Sequence, residues 1–260
     1  MNELPDVKVL TWNIRSGGGK NCLQIIDRIL AHDPQVVVLT EFQKKNEGIL
    51  RSGLEQGGYR WIETSNPQDK ENGLLVASKF EITKNGNITH DEDPQRWLSL
   101  HLPVHKIQLL AVHIPGGPDH KFINGIGISG RARKEMFWKK IIEFAKTHIK
   151  DRAVIVGDFN TGFKDDAEGT PFILSKYMKE LIGLGFIDTW RAIHKDKKEY
   201  TWYSQHKVNG NTVDKNGFRL DYLFASPTIS RNLHYAFHSH QERLEKVSDH
   251  AILACHFAFN

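Results

Sequence analysis

Residues 152–160 read RAVIVGDFN, an apolar run with polar residues at its end. Its first five residues, Arg152 to Val156, form a mostly apolar run that favours a buried strand. Gly157, Asp158 and Asn160 follow where that strand ends. A polar group without a partner in a core costs roughly 2 to 7 kcal/mol, so polar residues belong at the exit of a strand. Asp158 and Asn160 are two residues apart, so both project to one face of an extended backbone, although a plain turn would also suit Gly-Asp-x-Asn.

Similar apolar runs recur along the chain, and many are apolar on both faces. They predict strands at Val7–Ile14, Val36–Thr40, Leu74–Ala77, Ile107–Ile114, Ala153–Val156, Arg219–Ala225 and Ala251–Phe257. Helical spacing predicts helices at Leu23–Ala31, Arg133–Ile149 and Phe172–Leu184. Strands buried on both faces need cover on each side. The pattern therefore predicts an α/β fold with a two-sheet β-sandwich flanked by helices on both faces.

Length and composition bound the protein class. A chain of 260 residues with 39% hydrophobic content is long enough for one large core, and we expect a single domain over residues 1–260. Lys and Arg number 35 against 31 Asp and Glu, a formal charge of +4 that suits a polyanionic partner. An ordinary solvated basic surface explains the same excess.

The two cysteines lie far apart, without CxxC spacing. Cys22 and Cys255 are therefore expected to be free buried thiols, which indicates a reducing compartment. The first residues lack a secretory signal, and no segment is long and apolar enough to span a membrane. We expect a cytoplasmic protein with no membrane association and no obligate protein partner.

Glycine-rich or polar stretches separate the predicted elements. They predict surface loops at Ser16–Lys20, Pro115–Gly130, Thr161–Gly169 and Val208–Gly217. Each lies beside a candidate site residue, as expected when a rigid scaffold presents catalytic loops on one rim. For Val208–Gly217, a merely variable connection is an equal alternative.

Seven polar residues stand in a fixed order between Trp12 and His250. They are Asn13, Glu41, Asp158, Asn160, Asp221, Asp249 and His250. The ordered set, carried by the runs TWNI, GDFN, GFRLDY and SDH, resembles the endonuclease/exonuclease/phosphatase superfamily. The resemblance implies a four-layer α/β/β/α fold like that of deoxyribonuclease I. It also implies phosphoester hydrolysis with a divalent metal, a carboxylate-oriented water and a histidine that meets the phosphate.

Three of these residues are the candidate metal ligands. Glu41 ends an apolar run, where a carboxylate is a hard oxygen ligand suited to Mg²⁺. The resemblance assigns Glu41 to the metal, with Asn13 and Asp249 beside it, and Mn²⁺ is expected to substitute for Mg²⁺. Without the other motifs, a solvated glutamate at a strand end would be the default interpretation.

The remaining four residues of the set are the candidate catalytic groups. The resemblance implies that Asp158 orients and deprotonates a water molecule. It also implies that Asn160 holds the carboxylate of Asp158 and the phosphate. Asp221 accepts a hydrogen bond from His250, and a carboxylate behind an imidazole fixes its tautomer and favours the cation.

His113 bears on which branch of the family the chain resembles. Repair relatives usually have Tyr here, whereas deoxyribonuclease I has a His paired with a Glu; Glu71 and Asn72 stand where that partner is expected. Arg15 is also like deoxyribonuclease I. A pair of His113 and Glu71 would protonate the leaving oxygen, and Asn72 would contact substrate. An exposed loop residue is the alternative for Glu71.

Other positions resemble the repair branch. Trp202 and Phe218 stand at the two aromatic positions that give abasic-site endonucleases a small apolar pocket, although core residues at the sandwich edge are an alternative. Arg131 and Arg133 open a predicted helix, where cations are poorly placed unless an anion such as backbone phosphate is nearby. A solvated basic loop is the alternative for them.

Taken together, the motifs predict a Mg²⁺-dependent phosphodiesterase that hydrolyses double-stranded DNA. The motifs of this chain are most similar to those of the exonuclease III and abasic-site endonuclease branch of the superfamily. A less selective nuclease of deoxyribonuclease I type, or an enzyme acting on a small phosphorylated or lipid substrate, remains an alternative. A binding module without catalysis is disfavoured because every expected catalytic position is occupied.

Overall fold

Two six-stranded mixed sheets face each other in the computed structural model, which describes residues 4–86, 89–122, 124–170 and 172–259. The strands are β1 (Val7–Asn13), β2 (Val36–Phe42), β3 (Trp61–Thr64), β4 (Gly73–Ser78), β5 (Thr83–Lys84), β6 (Trp97–Leu102), β7 (Ile107–His113), β8 (Arg152–Asp158), β9 (Ile187–Asp188), β10 (Trp202–Val208), β11 (Asn211–Phe218), β12 (Asp221–Ala225), β13 (Leu233–Ser239) and β14 (Ile252–Phe257). The helices are α1 (Cys22–His32), α2 (Glu47–Gln56), α3 (Gly130–His148), α4 (Ser175–Gly183), α5 (Thr189–His194), α6 (Pro227–Ser230) and α7 (Gln241–Leu244). The first sheet has the order β13-β14-β1-β2-β4-β3 and the second has β5-β6-β7-β8-β12-β9, while β10 and β11 form a separate hairpin.

The central strands are apolar on both faces because each face meets a different core. In β1, Val7 and Val9 pack into the core between the two sheets. Leu10 and Trp12 point the other way, into the core beneath α1 and α2. Successive side chains of a strand alternate between faces, so a strand covered on both sides is apolar throughout.

Helices supply the outer cover of both sheets. Ile25 of α1 and Leu54 of α2 are fully buried against the first sheet. Phe137 of α3 and Met178 of α4 are fully buried against the second. The four layers confirm the predicted helix-flanked sandwich.

Parallel strand pairs bring the strand ends to one rim. In the first sheet, β1 and β2 run parallel with Asn13 opposite Thr40, and in the second, β7 and β8 run parallel with His113 opposite Asp158. Gly157 has φ 142°, and a Cβ there would lie 1.9 Å from the carbonyl oxygen of Val112. Only glycine fits this close approach, which brings the end of β8 beside the end of β7.

Several elements differ from the sequence prediction. The predicted loop Val208–Gly217 is wrong, because most of it lies in the hairpin of β10 and β11. That hairpin is largely exposed, so it lacks the apolar alternation that signals a half-buried strand. Strands β6 and β13 were also missed, since polar residues such as Ser99 and His234 interrupt their apolar runs. The predicted strand Arg219–Ala225 begins at Asp221.

Two further expectations concern the thiols and the membrane. Both Cys22 and Cys255 are buried and free, as predicted. Within the described ranges, none of the helices combines the length and apolar character needed to cross a membrane.

Candidate active site

The candidate catalytic residues meet on the rim where strands of the two sheets end. Asn13 ends β1, Asp158 ends β8 and Asp221 opens β12 directly opposite Asp158. Glu41 lies in β2, and His250 precedes β14. Residues more than 200 positions apart in the sequence therefore share one site.

Asn13 links the two sheets. Its buried amide nitrogen Nδ2 donates to Glu41 Oε1 at 3.1 Å and to Asp158 Oδ2 at 3.0 Å. Glu41 has a left-handed backbone with φ 57°, and its Oε2 accepts from the backbone N–H of Ser16 at 2.7 Å. The two carboxylates are thereby held side by side with fixed orientations.

His250 and Asp221 form a buried charged pair. His250 Nδ1 lies 2.8 Å from Asp221 Oδ2, and both side chains are almost completely buried. Burial opposes the imidazolium, but the carboxylate of Asp221, together with the charges of Asp158 and Asp249, raises the pKa of His250 to about 10. Because Nδ1 donates to Asp221, the Nε2–H of the cation is left as a donor without a hydrogen bond to any of the described residues. This arrangement suits contact with a phosphate.

Asp158 is the carboxylate most able to take up a proton. Burial raises the pKa of Asp158 above its usual range, and the nearby Asp221 raises it further, while the positive His250 opposes both. Asn160 fixes this carboxylate: its backbone N–H donates to Asp158 Oδ1 at 2.8 Å, and its amide donates to the carbonyl of Ile114 at 3.0 Å. An oriented carboxylate with a raised pKa is suited to act as a general base.

The rim offers hard oxygen donors that fit a divalent cation. Glu41 and Asn13 present carboxylate and amide oxygens, and Asp249 adds a half-buried carboxylate whose Oδ2 accepts from Trp202 Nε1 at 3.3 Å. Asp221 Oδ1 is buried without a hydrogen-bond partner in the described part of the chain. Clustered carboxylates repel one another, so a cation beside them would relieve that repulsion.

His113 lies at the site, but its partner is not the predicted one. Arg96 Nη1 lies 3.3 Å from His113 Nδ1, and Arg96 Nη2 lies 3.3 Å from Asp119. Glu71 is exposed, and no hydrogen bond or ion pair joins it to His113 among the residues that the structure describes. The predicted pair of His113 and Glu71 is therefore wrong.

The Arg96 contact determines which nitrogen of His113 carries the proton. A guanidinium can only donate, so Nδ1 of His113 must accept and the neutral ring carries its proton on Nε2. Burial and the charge of Arg96 hold the pKa of His113 well below its usual range. His113 Nε2 faces Asp158 Oδ2 at 3.8 Å. His113 is thus a neutral N–H donor and is poorly suited to supply a proton as a general acid.

The two predicted phosphate-binding arginines differ in environment. Arg133 is buried and forms a bidentate ion pair with Asp93, so its predicted contact with substrate is wrong. The ion pair with Asp93, and not a bound anion, therefore explains why the positively charged Arg133 stands at the start of α3. Arg131 is exposed, in a position that a polyanion can reach. Lys134 is buried and donates to the carbonyl of Asn160, and burial lowers the pKa of Lys134 to about 8.

Trp202 and Phe218 lie together beside His250. Their ring centroids are 5.9 Å apart, and Trp202 lies 6.4 Å from the ring of His250. Phe172 completes the group at 5.1 Å from Phe218 and 6.3 Å from Trp202. Phe218 is buried, whereas Trp202 and Phe172 are half-buried. The trio therefore presents an apolar surface at the edge of the site.

A cleft of about 500 Å³ lies between the hairpin and the segment before β14. It is lined in part by Arg15, Tyr203, Asp214, Arg243 and Asp249. Asp249 therefore connects the cleft to the catalytic rim.

Two residues of the site, Arg96 and Phe172, were not predicted from the sequence. Arg96 was not singled out because it precedes a strand that was not predicted. Phe172 stands before a helix and carried no motif. The predicted Asn72 is half-buried and accepts from Gln43 at 2.7 Å, and no hydrogen bond joins it to another candidate among the described residues.

Comparisons with known proteins match this architecture. The model described as the endonuclease/exonuclease/phosphatase family matches residues 10–250. An AP endonuclease structure from Archaeoglobus fulgidus superposes with a TM-score of 0.78 at 19% identity, covering 96% of this chain and 99% of that one. A 3′-5′ exonuclease from Neisseria meningitidis gives a TM-score of 0.76 at 21% identity, covering 97% and 100%.

Curated relatives are also distant. Recombination repair protein 1 of Drosophila melanogaster is 24% identical, covering 85% of this chain and 33% of its own length. The chain thus spans about a third of that relative. An exodeoxyribonuclease of Streptococcus pneumoniae is 20% identical, covering 86% of this chain and 90% of the relative.

Proposed function

Because the chain belongs to the endonuclease/exonuclease/phosphatase family, a family of phosphoester hydrolases that use divalent metals, we propose that it is a DNA phosphodiesterase of the exonuclease III and abasic-site endonuclease type. The observation that carries the proposal is the aromatic trio beside the pair of His250 and Asp221. The pair supplies the chemistry, and the trio supplies a surface that selects the sugar.

The chemistry divides among the residues of the rim. Asp158 orients a water molecule and accepts its proton, and Asn160 holds that carboxylate in place. His250, kept cationic by Asp221, donates from Nε2 to the negative phosphate. His113 donates a second N–H without changing its charge. Donors fixed in a site before the reaction stabilise developing charge without reorganising.

The proposed cofactor is Mg²⁺, and Mn²⁺ is expected to substitute for it. Glu41, Asn13 and Asp249 would hold it, since hard oxygens are its preferred ligands. When bound, the cation neutralises charge on the non-bridging phosphate oxygens.

The proposed substrate is double-stranded DNA with an abasic site or a blocked 3′ end. A relative of known structure is named an AP endonuclease, and another is named a 3′ phosphatase bound to product DNA hairpin. In this chain, an apolar surface built from Trp202, Phe218 and Phe172 would accept a sugar without its base and exclude a full nucleotide. The hairpin adds exposed Lys207 and Lys215, which would contact backbone phosphate.

Two further parts of the proposal concern the chain as a whole. We propose that it acts as one catalytic unit, because the rim takes residues from Asn13 to His250. We also propose a cytoplasmic location, which the two free thiols support.

A less selective nuclease of deoxyribonuclease I type is the second candidate. His113 favours it, whereas the Glu71 partner that the resemblance required is not in place. Cleavage of undamaged duplex at a rate near that of abasic duplex would support this candidate.

The deciding experiment compares duplex DNA with and without one abasic-site analogue, beside a 3′-phosphate duplex and a panel of phosphomonoesters, all with Mg²⁺. Replacing both Trp202 and Phe218 by Ala should lower abasic cleavage by about tenfold to a hundredfold, since burying two or three sugar carbons against the rings contributes about 0.8 kcal/mol for each carbon. Cleavage of a simple model phosphodiester should fall clearly less, because only the hydrogen bond from Trp202 to Asp249 is lost there. Tyr235→Ala on β13 serves as a matched aromatic control. Equal losses on every substrate, with an unchanged circular dichroism spectrum, would refute the assignment of the trio.

A further inference from the structure

A second group of metal-type ligands lies outside the catalytic residues. It consists of Glu199, His238 and His240, each offering one ligand atom, and these atoms lie within 4.8 Å of one another. Glu199 Oε1 is 2.8 Å from His240 Nε2 and 3.4 Å from His238 Nδ1. The group shares no residue with the rim of Asp158, Asp221 and His250.

Local structure places the three side chains together. His238 lies in β13, and His240 follows the last residue of that strand, where the chain turns into α7. The ring of His238 stacks on Trp190 with centroids 4.8 Å apart and an interplanar angle of 13°, which fixes its orientation. Glu199 comes from the segment that enters β10.

The ring nitrogens of His238 are available to bind a metal ion. Its side chain is fully buried, yet neither ring nitrogen makes a hydrogen bond to any described residue. Nδ1 faces Glu199 Oε1 at ion-pair distance without hydrogen-bond alignment. A buried polar group normally has a partner, so a ligand at this nitrogen would complete the site. Lys197 contacts the other carboxylate oxygen, Oε2, and leaves Oε1 facing the two rings.

We propose that Glu199, His238 and His240 bind one divalent transition metal ion, of which Zn²⁺ is the best match. Two imidazoles and one carboxylate suit zinc, whereas Mg²⁺ prefers oxygen ligands. With metal–ligand bonds near 2.0–2.2 Å, tetrahedral ligands lie about 3.3 Å apart; Glu199 Oε1 is 3.4 Å from His238 Nδ1, and the 2.8 Å to His240 Nε2 would lengthen when the ion replaces that hydrogen bond. Three protein ligands leave the fourth position to water or another small ligand.

The ion would connect the sheet edge to the support of the catalytic centre. Glu199 lies two residues before Thr201, whose hydroxyl oxygen accepts from the backbone N–H groups of Leu220 and Asp221. Zinc bound at Glu199 ties this segment to β13. Its expected effect is therefore on stability and on the order of this segment, and not on the hydrolytic step.

The test uses the purified full chain, stripped with chelator and titrated with Zn²⁺ in excess Mg²⁺. One equivalent of zinc should bind, and the midpoint of thermal unfolding should rise by about 5 °C at a hundredfold excess over Kd. X-ray absorption of the zinc-loaded wild type should show two imidazole nitrogens and at least one oxygen near 2.0–2.2 Å. The X-ray absorption measurement uses only the wild-type protein, so it does not depend on whether any variant folds.

Two variants remove the proposed ligands, and a third serves as the control. His240→Ala and Glu199→Gln should lose the bound equivalent of zinc and the thermal shift. His256→Ala should keep both, although His256 lies in another exposed cluster with His234 and Asp6. The proposal is overturned if wild type binds no zinc, if His240→Ala and Glu199→Gln retain it, or if only His256→Ala loses it.

Discussion

His113 offers the sharpest test of how the site works, because its two ring nitrogens have different roles. Nδ1 accepts from Arg96, and Nε2 carries the proton that faces the rim. Gln in place of His113 keeps an N–H near the position of Nε2, whereas Asn places its amide near Nδ1. We therefore expect His113→Gln to retain more activity than His113→Asn.

The magnitude follows from the bond that is lost. A hydrogen bond to a charged group contributes about 1.5–3 kcal/mol, which corresponds to roughly tenfold to 150-fold in rate. His113→Asn should lose this amount of kcat/KM on the abasic duplex, and His113→Gln should lose clearly less. Arg96→Met should fall between them, because it leaves Nδ1 without its donor and allows the other tautomer.

The pH dependence separates a neutral donor from a general acid. Burial and Arg96 lower the pKa of His113, so the neutral ring is already present well below a pH of about 6.5 and persists as the pH rises. The ratio of wild-type to His113→Asn activity should stay constant from about pH 6.5 upward. A general acid must lose its proton as the pH rises, so that ratio would then fall. A falling ratio, or equal losses in the Gln and Asn variants, would refute the assignment of Nε2 as a neutral donor.

Three other outcomes are expected. Glu41→Gln keeps the size and removes the charge, so activity should need far more Mg²⁺ and the metal titration should shift; unchanged metal dependence would exclude Glu41 as a ligand. Asp221→Asn and His250→Asn should each cost about 10² to 10⁴ in kcat, and the double variant little more, because paired catalytic groups are not additive; multiplicative losses would show independent roles. Arg133→Met should destabilise the fold by about 3–5 kcal/mol in urea unfolding, since it leaves Asp93 buried without its partner, and a change under 1 kcal/mol would contradict a structural role.

Much of the fold could be predicted because buried strands have a recognisable pattern of apolar residues in the sequence. Strands covered on both faces are mostly apolar, and β1, β2, β7, β8 and β14 carry that pattern. The hairpin of β10 and β11 could not be found in this way. Its strands pair with each other and bury little, so turn chemistry and pairing, and not apolar periodicity, determine them.

The candidate site was predictable only where local motifs carried it. Asp158 and His250 stand in short, distinctive runs that are placed by strand ends. The partner of His113 was not predictable, because Arg96 and Glu71 are both polar residues outside predicted strands. Three-dimensional packing alone buries Arg96 and leaves Glu71 exposed. For Arg133, likewise, the sequence showed a cation at a helix start but gave no sign of Asp93.

The hydrogen bonds that close the rim also bear on when activity can arise during synthesis. Trp12 Nε1 donates to the carbonyl of His250, and the hydroxyl of Ser248 donates to the carbonyl of Asn13. These contacts join positions 238 and 235 residues apart, and such distant contacts form late because a long loop must close first. A growing polypeptide that already contains Glu41 and Asp158 still lacks His250, which the proposed function assigns to the phosphate. On the proposed function, a ribosome-bound or truncated product would therefore lack hydrolytic activity, and that activity would begin only once β14 has docked beside β1.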